Sequence, residues 1–171
     1  MIFVTLGSQK FQFNRLLKEL DELIENKKIN NEIFAQIGYS DYTPKNYKYK
    51  KFVDRDEFKN IMSECDIVIT HGGTGAIITA VKQKKKVIGI PRLAQYGEHV
   101  DDHQIQLVKE FEKAGIIKAV YNLNKLEEAL KVVKKMKFSK YESNTNNIIN
   151  DIEDYIESSD RNEGNLENNI L

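Results

Sequence analysis

One stretch constrains this chain more than any other. Asp66-Ile67-Val68-Ile69-Thr70 runs without a break into His71-Gly72-Gly73-Thr74-Gly75, and a helix-compatible run, Ala76 to Val81, follows at once. A short, continuous apolar run is the pattern of a strand buried on both faces, as in a parallel sheet. Glycines after such a strand allow a tight turn and a close approach of backbone to ligand. The helix that follows aims its free N–H groups and the positive end of its dipole at the same point. The segment therefore predicts an anion site, phosphate above all, with His71 at its mouth.

Strand and helix patterns alternate along the rest of the chain, which predicts an α/β fold: a Rossmann-like parallel sheet with helices on both faces. Strands are expected at Ile2 to Leu6, Glu32 to Ile37, Tyr49 to Val53, Asp66 to Thr70, Lys86 to Ile90 and Ile116 to Val120. Helices are expected at Phe13 to Glu25, where Leu16, Leu17, Leu20, Leu23 and Ile24 recur at helical spacing, and at Arg55 to Ser63 behind an Asp54 N-cap. Others are expected over Ala76 to Val81, Asp101 to Lys113 and Leu126 to Val133. Ile148, Ile149, Ile152, Tyr155 and Ile156 mark one face of a further helix, suited to packing within the domain or against a partner. Residues 1–157 read as one domain and 158–171 as a polar, flexible tail.

With 171 residues the chain can bury a real core but cannot hold two Rossmann-type domains. Its 26 basic and 26 acidic residues cancel, which removes the electrostatic case for nucleic acid. The local run Lys82-Gln83-Lys84-Lys85-Lys86 reads as a solvated loop, with phosphate or anionic lipid as the other reading. The single cysteine, Cys65, cannot close an internal disulfide and reads as a buried structural residue. No secretory leader and no spanning run is visible, so a cytoplasmic location is expected.

Three segments carry candidate chemistry. The Gly72-Gly73-Thr74-Gly75 turn has three glycines in four positions, more than a bare turn requires, yet it matches neither the dinucleotide fingerprint nor the P-loop. The loop Gln95 to Gln104 follows the strand Lys86 to Ile90 and should lie at the same sheet edge, where such folds bind ligands. It offers Glu98, His99, Asp102, His103 and Gln104 for hydrogen bonds to a ribose or base. His99 and His103 with Glu98 and Asp102 can also be read as metal ligands, but no HExxH pattern supports this, and no metal is expected. Gly7 and Ser8, after the first strand, could meet phosphate or sugar. His71 could act as a base, a phosphate donor or a structural turn residue.

Taken together, Ile2 to Gln9 with Phe13 to Leu16, Asp66 to Gly75, and Ile90-Pro91-Arg92 through Gln104 resemble the donor-binding C-terminal half of GT-B glycosyltransferases of family 28. The match is nearest the small bacterial exopolysaccharide subunit of the PssE or EpsF type, a relative of the catalytic subunit of the dolichol-linked GlcNAc transferase. The resemblance implies the catalytic subunit of a hexosyltransferase in exopolysaccharide or capsule synthesis, with a UDP-sugar donor, no cofactor, and inverting transfer without metal. The glycine turn would hold the diphosphate, and the general base would come from a partner subunit, with His71 or His103 as the other candidates. Glu98, His99, Asp102 and Gln104 would approach the ribose, the sugar or a second subunit. Many relatives carry a ribose-binding glutamate in the helix after the turn, a place that Thr79 holds here. The resemblance also implies a lipid-linked sugar acceptor and a membrane-anchored partner that supplies the acceptor half, holding this chain at the inner face of the plasma membrane. The other reading is a non-catalytic nucleotide-binding or enhancer subunit.

Overall fold

The apolar runs form neighbouring strands of one parallel sheet. The computed structural model describes residues 1–141. The elements are β1 (Ile2–Thr5), α1 (Asn14–Glu25), β2 (Ile33–Gln36), β3 (Lys48–Lys50), α2 (Arg55–Glu64), β4 (Ile67–His71), α3 (Thr74–Lys82), β5 (Lys86–Ile90), α4 (His103–Lys113), β6 (Lys118–Ala119) and α5 (Leu126–Val133). Strand order is β3-β2-β1-β4-β5-β6, every pair parallel. The order reverses between β1 and β4, which are hydrogen-bonded neighbours in register Val4 to Ile69. A crevice opens at such a switch point, beyond the carboxyl ends of the strands. The loops leaving β1, β4 and β5 all emerge at that edge.

Side chains alternate across the sheet. Ile2, Val4, Leu6, Ile67, Ile69, Ile88 and Ile90 join Leu16, Leu17 and Leu20 of α1 and Leu126, Leu130 and Val133 of α5 in one core cluster. From the other face, Phe58 of α2 meets Phe3 edge-on at 5.3 Å. Val108 of α4 lies over Gly89. The expected fold, an α/β sheet with helices on both faces, is the observed one. Cys65 is buried, and burial raises its thiol pKa, as fits a structural cysteine.

Element ends differ from expectation for local reasons. β4 runs on through His71, because His71 still pairs with Ile90. β3 lies earlier than expected, at Lys48–Lys50, since its pairing with β2 starts at Phe34 and Asp54 is already the N-cap of α2. β6 is shorter than the expected 116–120: it is an edge strand paired only with β5, and Ile116 N–H still donates to Phe111 O. α3 starts two residues early, at Thr74, with Gly73 as its N-cap. α4 starts at His103, because the Asp102 carboxylate reaches back to Ala94 N–H at 2.8 Å. The expected helix bearing Ile148 to Ile156, and the 158–171 tail, lie outside the described residues.

Candidate functional site

The N-terminus of α3 lies at the crevice without a side-chain cap and without an acid in its first turn. Thr74 and Gly75, in its first turn, are exposed. The three glycines before and within it have separate reasons. A Cβ on Gly72 would stand 2.7 Å from Gln104 Cβ, so this glycine lets α4 close against β4. A Cβ on Gly73 would collide with His71 Nε2. A Cβ on Gly75 would meet nothing within 4 Å, so packing does not explain this residue. An open glycine beside uncapped helix donors is the arrangement that admits an anion.

His71 sits deeper than its expected place at the mouth. It ends β4 only 7% exposed, with its ring between the backbones of Gly7 and Gly73. Gly7 has φ +71, and a side chain there would press on the ring at 2.8 Å. Thr70 Oγ1 donates its one hydrogen to Thr5 O at 2.9 Å, so it can only accept from His71 Nδ1 at 3.4 Å. This assigns the ring hydrogen to Nδ1 and leaves a lone pair on Nε2, beside Gly73. Burial first, then the nearby Arg92 guanidinium, pushes the His71 pKa down to about 4. His71 is therefore a neutral imidazole at neutral pH, an acceptor at Nε2 and not a cation for phosphate.

Two residues expected to face a ligand turn inward instead. Glu98 is 1% exposed. Its Oε1 takes the Arg15 Nε hydrogen at 2.7 Å and its Oε2 takes Leu93 N–H at 2.9 Å. Gln104 is 2% exposed, and its Oε1 accepts from both Gly72 N–H and Arg92 N–H, at 3.2 and 3.1 Å. Glu98 thus ties the loop after β5 to α1, and Gln104 braces the loops after β4 and β5. Asp102 likewise faces Ala94. Thr79, at the place of the expected ribose-binding glutamate, is exposed, and its hydroxyl donates to Gly75 O at 2.8 Å within its own helix. Ser8 is exposed at the β1–α1 loop, His103 is exposed, and the His99 side chain is only 8% accessible.

Arg92 is the residue whose role the sequence hid. It is completely buried, with its guanidinium over Phe13 at 5.7 Å. Its Nη2 donates to Leu6 O at 2.8 Å and Phe11 O at 3.2 Å. Its backbone N–H is on Gln104. One residue therefore ties the loop after β1 to those after β4 and β5. Among the described residues its Nε and Nη1 have no partner, and burial pulls its pKa down to about 10 against the opposing pull of Glu98. The only sequence signal was an arginine placed directly after Pro91 at the end of a buried strand.

The doubly wound parallel sheet with helices on both faces has the fold of the Rossmann-like C-terminal half of GT-B glycosyltransferases. Residues 1–158 match the glycosyltransferase family 28 C-terminal domain, and the chain belongs to that family. It is 23% identical over 129 residues to the mouse UDP-N-acetylglucosamine transferase subunit ALG13, covering 66% of this chain and 10% of that one. Similar solved structures include the glycotransferase of kitacinnamycin, at 17% identity and TM-score 0.60, covering 79% of this chain and 35% of that one. MurG of Acinetobacter baumannii is similar at 18% identity and TM-score 0.54, covering 78% and 40%. The chain thus spans well under half the length of these relatives. Among the described residues no helix is long and apolar enough to cross a membrane.

Proposed function

We propose that this chain is the donor-binding subunit of a UDP-sugar-dependent hexosyltransferase of the PssE or EpsF type. It would act with inversion on a lipid-linked sugar in exopolysaccharide or capsule synthesis. The observation that supports the reading most is the open Gly75 beside the uncapped, acid-free N-terminus of α3. There the diphosphate would lie against helix N–H groups, which stabilise the charge that grows on UDP as the sugar leaves, an effect commonly worth about 3–4 kcal/mol per donor. Ser8 and Thr74, both exposed, would supply hydroxyls to phosphate or sugar. Transfer in this scheme uses no cofactor beyond the donor.

Inversion needs a base opposite the leaving group. Of the candidate bases, His71 is buried and only His103 exposes its ring. That burial favours a base from a membrane-anchored partner subunit that carries the acceptor-binding half, and it keeps open a second reading in which this chain only binds nucleotide. The likeness to a named transferase subunit supports a two-chain arrangement, in which the partner would hold this chain at the inner face of the plasma membrane.

Calorimetric titration with UDP, and with GDP as control, tests the donor site. UDP-selective binding is expected, and Gly75→Asp should abolish it while leaving the fold intact, because an acid in the first turn suits the helix dipole but repels diphosphate. No UDP binding, alone or with the partner chain, overturns the reading. With the partner present, a fall in turnover per assembled complex in His103→Ala would give this chain a catalytic group, and unchanged turnover would leave the base to the partner.

A further inference from the structure

The loop between β5 and α4 gathers three groups that the sequence pattern did not single out as a set. His99, Asp101 and His103 place one ligating atom each within 4.8 Å of one another. Glu98 and Asp102, the acids expected to join the histidines, are engaged elsewhere. His99 Nδ1 stands 3.3 Å from Asp101 Oδ1, and His103 Nδ1 meets the same oxygen. Ligand atoms held about 2.0–2.1 Å from a tetrahedral ion are roughly 3.3 Å apart, so the first pair already has coordination spacing. His99 Nδ1 also accepts the Asp101 N–H at 3.4 Å, a weak bond that an ion would displace.

The frame is also pre-set. The His99 ring packs on Phe11 with centroids 4.6 Å apart, and His103 opens α4 with its N–H on Asp101 Oδ1 at 3.1 Å. The two imidazole rings are inclined at 73°, which turns them toward one carboxylate from different sides. Ligand orientation fixed by packing and by backbone bonds is what a metal site requires.

We propose that His99, Asp101 and His103 form a site for a borderline divalent transition ion such as Zn²⁺ or Co²⁺. Two imidazoles and one carboxylate select that class over Mg²⁺ and Ca²⁺, which take oxygen ligands. A fourth position stays open to water. The positive end of α4 opposes the cation, so affinity falls below that of closed four-ligand zinc sites. The ion has no step in sugar transfer here. It cross-links the loop to the first turn of α4, immediately before Gln104, which holds the N–H groups of Gly72 and Arg92. The proposal does not rest on the donor reading.

The test is titration of the untagged full chain with Co²⁺ alone, read by visible absorption, and with Zn²⁺ by calorimetry. The chain has three histidines and His71 is buried, so a signal requiring two imidazoles has one place to arise. One equivalent should bind, with release by chelator, and His99→Ala and His103→Ala should each lose it in protein that still unfolds cooperatively. Asp101→Asn should weaken it. Absence of saturable binding overturns the site, as does binding that survives both histidine variants. Loss in only one of the two overturns the three-ligand arrangement.

Discussion

At the scale of single residues, His71 shows how burial changes what a side chain can do. Its position was legible: a histidine at the carboxyl end of a buried strand. Its state was not, because the groups that set it, Gly7, Thr70 and Arg92, converge only in the fold. A neutral buried imidazole has a consequence for stability. The unfolded chain takes up a proton near the ordinary value of 6.5, whereas the folded chain does so at about 4. The folded pKa is the lower one, so the contribution is fully present above pH 6.5 and is lost as pH falls toward 4. Across that window His71 alone should remove about 3 kcal/mol of stability. Denaturant unfolding of wild type and His71→Gln at several pH values checks this. The variant should show a flatter decline between pH 6.5 and 4, and parallel declines would show that His71 is not the responsible group.

At the scale of the element, α3 separates glycines that packing requires from one that packing does not explain. Gly73→Ala drives a methyl into the His71 ring and should cost roughly 1–3 kcal/mol, as overpacked sites do. Gly75→Ala meets open space in a helical turn and should stabilise the fold by about 0.4–1 kcal/mol, while weakening UDP binding because the methyl stands where phosphate would lie. Denaturation midpoints with and without UDP measure both effects. A Gly75→Ala protein that binds UDP as wild type does would place the anion elsewhere. The glycine cluster and the strand before it were readable from the sequence, since both signals are local. What each glycine faces was not, because Gln104 and Val108, which crowd Gly72, lie beyond α3, β5 and the loop that follows in the chain. The same limit explains the misplaced ends of β3 and β6. An edge strand stops where its neighbour stops pairing, and no local pattern records that.

At the scale of the whole molecule, the site is held by long-range polar braces as much as by the sheet. Alternation of apolar runs made the parallel sheet legible, and the order β3-β2-β1-β4-β5-β6 puts its switch point at β1 and β4. The braces were illegible because each joins distant positions: Arg92 reaches Leu6, and Arg15 reaches both Glu98 and Pro91. Residues that look like ligand contacts in sequence, Glu98 and Gln104, are what fasten the three loops to one another. Arg92→Met would fill the volume of the arginine stem but remove the guanidinium from over Phe13 and orphan the carbonyls of Leu6 and Phe11. Leaving such groups unpaired costs about 1–3 kcal/mol each, partly offset here because a buried cation with two unpartnered nitrogens is also removed, so a net loss of about 2–4 kcal/mol is expected. The effect should be directional. Amide hydrogen exchange should quicken over residues 6–11, while β4 and β5 stay protected. Gln104→Ala should instead quicken Gly72 and Arg92 together, since one oxygen holds both N–H groups. Exchange over residues 6–11 that is unchanged in a folded Arg92→Met protein would mean that the β1–α1 loop is fixed by packing alone and that the buried arginine is not its brace.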